Sequence, residues 1–178
     1  GNTVLKIDPV SNTIIETFEV GNGPGDLLFH EGAVYVSRTY YDQYWNAYTG
    51  TSRIDGGGNV TLAEYGAGVP CGGNLTKHNN VVYRSYDGGI APLDSELGIL
   101  SEQQLGDLGY WNVYDVKSID GNIYFAITNY ADLNQVVILD ENGVELSRYD
   151  VGLIPTDFAV WNSTLSGDFN NDDLLNIN

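Results

Sequence analysis

Basic residues are scarce in this chain of 178 residues: seven Lys and Arg stand against 24 Asp and Glu, for a formal net charge of −17. Nucleic-acid binding needs clustered cations to displace counterions from phosphate, so that class is excluded. An anionic membrane surface repels the chain for the same reason. Cys71 is the only cysteine, which rules out an intramolecular disulfide. It lies in the apolar, glycine-rich stretch Val69-Pro70-Cys71-Gly72-Gly73, with no adjoining basic group to lower its pKa, and reads as a small buried hydrophobe rather than a nucleophile. No run of about 18 apolar residues occurs, so no membrane-spanning helix is expected. The two histidines, His30 and His78, are too few for a zinc site and read as turn residues. No Gly-x-Ser-x-Gly elbow is present, and carboxylates this abundant meet in pairs by chance, so neither a hydrolase triad nor a glycosidase pair is indicated. No signal peptide is visible. The chain opens at Gly1 in the middle of a pattern and is read as a mature or truncated form.

What the chain does hold is glycine, at 22 residues, and tyrosine, at 13. That mixture suits many short strands joined by tight turns better than helices. Self-comparison sharpens the point. Strand-like stretches ending in aspartate recur at Val4-Leu5-Lys6-Ile7-Asp8, Thr51-Ser52-Arg53-Ile54-Asp55, Ile90-Ala91-Pro92-Leu93-Asp94 and Val136-Val137-Ile138-Leu139-Asp140, with the aspartates 47, 39 and 46 residues apart. A second strand follows each, then a glycine: Gly21, Gly66, Gly106 and Gly152, spaced by 45, 40 and 46. A third register runs through Ala33–Val36, Val81–Arg84 and Asn122–Phe125. Asp87-Gly88 and Asp120-Gly121 mark turns.

This period, with several short strands per unit, predicts an all-β chain of about four β-propeller blades, repeats of 39–47 residues. One four-stranded blade has two apolar faces and buries them only by stacking on neighbours. The segment Thr13–Val20 mixes β-branched and aromatic residues and is expected to be covered on both faces. The first unit reads Ile7-Asp8-Pro9, Ser11-Asn12-Thr13, Val20-Gly21-x-x-Pro24, then Tyr35-Val36-Ser37-Arg38. It is similar to the YVTN repeat of extracellular and surface-layer propellers. The fourth unit matches in Ile138–Asp140, Val151-Gly152 and Pro155. The resemblance covers residues 1–162 and implies a secreted or cell-surface location and a binding or structural role. Such propellers commonly have seven blades, so the chain is expected to belong to a larger propeller or to one completed by another molecule. In this phasing the fourth unit has strands at Gln135–Asp140, Val144–Val151 and Phe158–Trp161, and lacks a fourth. The first strand lacks a partner ahead of it. Two open sheet edges invite strand exchange and a filament.

Residues 163–167 read as a linker, and 168–178 as the start of a calcium loop. Oxygen side chains at Asp168, Asn170, Asp172 and Asn176, with the Leu174 carbonyl, follow EF-hand spacing. The segment resembles the first half-repeat of a dockerin, the module that anchors secreted proteins to cohesins. Asp173 stands where glycine is usual, and the bidentate acid falls beyond Asn178. Ca²⁺ binding is therefore expected only if the loop continues past the given end.

Between units one and two, Tyr40, Tyr41, Tyr44, Trp45 and Tyr48 cluster with Asp42, Gln43 and Asn46; Tyr110-Trp111 lies in another connection. Rings beside such polar groups stack on sugar faces, or else pack between blades or against a subunit, which is the preferred reading. Asn-x-Ser/Thr sequons at Asn59, Asn74 and Asn162 are N-glycosylation candidates at turns or edges. The expected function is a non-catalytic binding or structural module whose partner is a protein or itself, with carbohydrate as a further candidate. The alternative is the propeller domain of an extracellular polysaccharide lyase or hydrolase anchored through a dockerin.

Overall fold

The computed structural model describes residues 1–67, 73–109 and 112–160. It is all-β: four separate antiparallel sheets follow one another along the chain. The first holds two strands, β1 (Thr3–Asp8) and β2 (Thr13–Glu19). The second is a four-stranded meander of β3 (Pro24–His30), β4 (Ala33–Tyr41), β5 (Ala47–Ile54) and β6 (Val60–Ala67). The third holds β7 (Leu75–His78), β8 (Val81–Tyr86) and β9 (Gly89–Pro92). Its fourth position is taken by an irregular segment around the 3-10 turn Ser101–Gln103, tied to β9 by reciprocal backbone bonds of 2.9 and 2.8 Å between Ile90 and Leu105. The fourth sheet runs β10 (Val113–Ile119), β11 (Asn122–Thr128), β12 (Asn134–Leu139) and β13 (Glu145–Asp150).

The turns explain the repeat. Between first and second strands, Glu31-Gly32, Asn79-Asn80 and Asp120-Gly121 all have positive φ, as a two-residue hairpin of primed type requires. Asp87-Gly88 does the same between β8 and β9. The recurring aspartates each close the turn that follows their strand, β1, β5, β9 and β12 in order. Asp8 accepts the Val10 N–H, Asp55 that of Gly57, Asp94 that of Glu96 and Asp140 that of Asn142, at 2.8–2.9 Å. In the last three the same Oδ1 also accepts the N–H four residues on, from Asn59, Gly98 and Val144. The recurring glycines lead out of the sheets, and Gly21, Gly66 and Gly106 hold φ of +81°, +84° and +82°. At Gly106 a Cβ would also lie 2.8 Å from Leu139. Gly152 has no such conformation.

The aspartates fall at turns, as their spacing suggests, but the strands are phased differently from the sequence reading. The last three stretches ending in aspartate are third strands of their sheets, whereas Val4–Asp8 lies in β1 of the two-stranded sheet, so units one to three as read from the sequence each straddle two sheets. Gln135–Asp140 and Val144–Val151 therefore belong to β12 and β13 and finish a complete four-stranded sheet, rather than opening an unfinished one. Among the described residues the sheet with the fewest strands is the first, with two. Phe158–Val160 forms no regular strand. The expected double coverage of Thr13–Val20 also fails: β2 is exposed along nearly its whole length, because it is the outermost strand of a two-stranded sheet with one neighbour.

Apolar cores lie between consecutive sheets. Val20, Val36 and Ile54, with Val4 and Phe18, join the first to the second. Leu75, Val82, Leu93 and Leu97 pack with Leu28 and Tyr35 between the second and third. The largest core, including Val116, Phe125, Ile127 and Leu139, packs with Tyr83 between the third and fourth. Burying each such side chain contributes about 1.5–3 kcal/mol.

Candidate interaction surfaces

The predicted aromatic cluster forms the tip of the β4–β5 hairpin. Asp42 organises it: its Oδ1 accepts the N–H of Tyr44 at 2.8 Å and of Asn46 at 2.9 Å, and its Oδ2 accepts the Asn46 side-chain amide at 2.8 Å. These bonds, led by the Asn46 amide, hold the Asp42 carboxyl below the usual carboxylate range. The cluster divides in two. Tyr40 and Tyr48 stack at 5.6 Å, with the Tyr40 hydroxyl donating to Glu64. Burial, followed by Glu64, raises the Tyr40 hydroxyl pKa. Tyr41, Tyr44 and Trp45 are exposed, and Tyr41 and Trp45 sit 6.2 Å apart.

Trp45 is 82 % exposed and has φ +64°. It stands three residues after the turn-forming aspartate. In the corresponding turns after Asp55 and Asp140 that position is Gly58 and Gly143, which bear left-handed backbone without strain. After Asp94 it is Leu97, which is fully buried in a core. Trp45 has the backbone strain without the burial. Of the preferred sequence reading, packing between blades or against a subunit, the first half does not hold for Tyr41, Tyr44 and Trp45, which are exposed. Tyr110 and Trp111 lie outside the described residues.

A second surface opens beside β1. A groove of about 510 Å³ is lined by Leu5, Phe18, Leu27, Phe29, Val34 and Ile54, among others, between the first two sheets. Leu27 and Phe29, on the first strand of the second sheet, are exposed there, Phe29 to 70 %. Strand β7 carries Leu75, the counterpart of Leu27, and Leu75 is buried. The exposure has one local cause: the two-stranded first sheet offers no strand opposite Leu27 and Phe29.

Sequence reasoning missed a column of polar residues on the first strands. Asp26, Asn74 and Asp115 occupy corresponding positions, opposite Ser37, Ser85 and Ala126 of the second strands. Asp26 Oδ2 accepts the Leu75 N–H at 2.8 Å, and the Asn74 amide donates to the Tyr114 carbonyl at 2.8 Å, each reaching the next sheet. Asp115 is 6 % exposed, and its Oδ2 has no partner among the described residues. Desolvation holds its carboxyl above the usual range. The signal was there in the sequence: a polar residue opening each first strand just ahead of an apolar one.

Two buried arginines were also missed. Arg38 pairs with Glu64 at 2.7 Å and donates to the Ala63 carbonyl. Arg84 lies 5.4 Å from the Tyr65 ring centroid and donates to Thr51, and desolvation lowers its pKa to about 10. Both tie neighbouring strands and sheets together. His78 is buried and bonded to Ser118 at 2.9 Å, in keeping with a turn histidine. Of the sequons, Asn59 is exposed, although its amide is bonded to both oxygens of Asp55. Asn74 is half-buried between first strands rather than at an open edge, and its amide is committed to Tyr114. Asn162 and the calcium-loop residues Asp168, Asn170, Asp172, Leu174 and Asn176 lie outside the described residues. Among the described residues no group of three or more His, Cys, Asp or Glu is placed to hold a metal ion, and no helix is long and apolar enough to cross a membrane. Searches against protein-family models and against curated proteins found nothing that matches this chain.

Proposed function

We propose that this chain is a non-catalytic β-propeller module of a secreted or cell-surface protein, and that it works by binding protein, in the first place copies of itself. The observation that carries the reading is the two-stranded first sheet beside an apolar groove, with Leu27 and Phe29 exposed. Apolar side chains exposed along such a groove favour burial against a protein partner. The propeller assignment is supported by sheets that follow one another as meanders, by cores shared only between neighbours, and by polar bonds linking β3 to β7 and the start of β7 to β10. The acidic surface and the YVTN resemblance support the extracellular location.

Light scattering and negative-stain microscopy of the native protein test assembly: discrete monomers overturn it. Incubation with a panel of polysaccharides tests the absence of catalysis, which clear turnover overturns. In the same proposal Ca²⁺ binds tightly only to a chain extended past Asn178.

The hairpin tip supports a second activity. Trp45, strained and exposed beside Tyr41 and Tyr44, suits stacking on the apolar face of a neutral sugar, since the net charge of −17 opposes anionic glycans. Retention of the protein on insoluble neutral polysaccharide, and its loss in Trp45→Ala, tests this.

A further inference from the structure

The tip of the β4–β5 hairpin holds its rings in a fixed geometry. The ladder of paired residues runs as far as Tyr41 and Ala47, and beneath that last pair Tyr40 stacks on Tyr48 with their planes 13° apart. Across loop 42–46 the Asp42 N–H donates to the Asn46 carbonyl at 3.0 Å, and the Trp45 N–H to the Asp42 carbonyl at 3.1 Å. The Asp42 carboxylate adds its own bonds to the Tyr44 and Asn46 N–H groups. All of these bonds lie within the hairpin, so a ligand meets a platform that needs little ordering.

Within that frame the Tyr41 and Trp45 rings are tilted by 52° at a centroid distance of 6.2 Å, and both are exposed. Rings that lie together on one planar surface must be close to coplanar, and this pair is not. Each face can instead meet one sugar of a chain whose successive sugars are turned relative to one another. The polar groups point to a neutral chain. Segment 40–48 holds no Lys or Arg, and Arg38 beneath it is buried and paired with Glu64, so a sugar acid meets no free cation at the tip. The Asp42 oxygens are taken up by the loop, and the Asn46 amide donates to one of them. Gln43 is exposed, and its side chain makes no hydrogen bond among the described residues. A glutamine amide both donates and accepts, as a sugar hydroxyl does.

We infer that the hairpin tip binds two consecutive sugars of a free, twisted chain of neutral polysaccharide, and not a flat crystalline face, with Tyr41 and Trp45 each stacking on one sugar and Gln43 bonding a hydroxyl. The inference rests on the sugar-stacking reading of Trp45. It adds the form of the chain and two further residues that select it.

Cellulose and chitin test this, because each offers the same neutral sugars in a crystalline and an amorphous state. The whole protein is incubated with both states of each polymer, and is run through native gels that contain soluble glucomannan, xyloglucan or amylose. Retention on an amorphous polymer or retardation by a soluble one is expected, with about tenfold less retention per unit of accessible surface on the crystalline form. Trp45→Ala and Tyr41→Ala are each expected to weaken binding about tenfold, and Gln43→Ala about two- to tenfold. Tyr41→Phe keeps the ring and is expected to keep binding. All three positions are exposed, and thermal melts check that each variant folds. If no polymer is bound, or Trp45→Ala binds as the unaltered chain does, the sugar-stacking reading fails and this inference with it. If the two states are bound equally, or Tyr41→Ala binds as the unaltered chain does, stacking on Trp45 stands and the paired-ring arrangement is wrong. Unchanged binding by Gln43→Ala removes Gln43 from the site.

Discussion

Asp26 Oδ2 accepts the backbone N–H of Leu75 at 2.8 Å, across the boundary between the second and third sheets, while its Oδ1 accepts that of Leu27. One carboxylate therefore serves a backbone donor on each of two neighbouring first strands. Lys117, on β10 of the fourth sheet, stands 4.0 Å away.

Asp26→Ala leaves the N–H of Leu75, itself buried, without an acceptor. The expected cost is about 1–3 kcal/mol in urea unfolding at neutral pH. Asp26→Asn keeps an acceptor oxygen and is expected to lose less. Equal losses in the two would show that the charge, rather than the acceptor, matters at this boundary.

Asp115→Asn is expected to raise stability, on the order of 1 kcal/mol at pH 7. Asn74 already serves at the corresponding position one sheet earlier. Desolvation raises the folded-state pKa of Asp115 above its unfolded value. The folded state then holds its proton longer, so wild-type stability falls as pH rises from the unfolded pKa through the folded one. The advantage of Asp115→Asn is expected to be largest at neutral pH and to shrink as pH drops towards 4. A pH series of thermal melts on both proteins checks the sign.

The turn aspartates titrate the opposite way. The carboxyls of Asp55 and Asp140 lie below the usual range, the first chiefly through the Asn59 side-chain amide and the second through the Val144 N–H. Their contribution is present above the unfolded-state pKa and is lost as pH falls through the folded one. Asp55→Ala and Asp140→Ala are each expected to lower the melting temperature at pH 7. The gap to wild type should close under acid conditions.

These aspartates also mark what could be read without coordinates. Asp8 bonds two and three residues along the chain, and Asp55, Asp94 and Asp140 two and four, so the local sequence encodes each turn and the spacing of the turns follows. Phase is different. Whether Val4–Asp8 opens a sheet or stands third in one depends on pairing with distant strands, and both kinds of hairpin look alike in a single unit. The Asp115 carboxylate and the Arg84 guanidinium were illegible for the same reason, since their meaning comes from a neighbouring sheet. The Trp45 cluster was visible, but its exposure was not, because burial of a ring is decided by what the fold places opposite it.

Trp45→Gly separates strain from binding. Relief of the left-handed backbone is worth roughly 1–2 kcal/mol, offset by about 0.5–1 kcal/mol for glycine's greater freedom when unfolded. The melting temperature is expected to hold or rise slightly, while retention on neutral polysaccharide is lost. A substantial fall in melting temperature would mean that the indole packs in a way its exposure does not indicate.

Among the described residues the apolar cores lie between neighbouring sheets, which gives the chain a graded resistance to opening. Three buried side chains, Val20, Val36 and Ile54, hold the first sheet to the second, against eight in the core between the third and fourth. Amide hydrogens of β1 and β2 should therefore exchange with solvent deuterium through local fraying, long before those of β11 and β12, which open only with the whole fold. Such a loosely held hairpin is expected to open and close many times while the other three sheets stay folded.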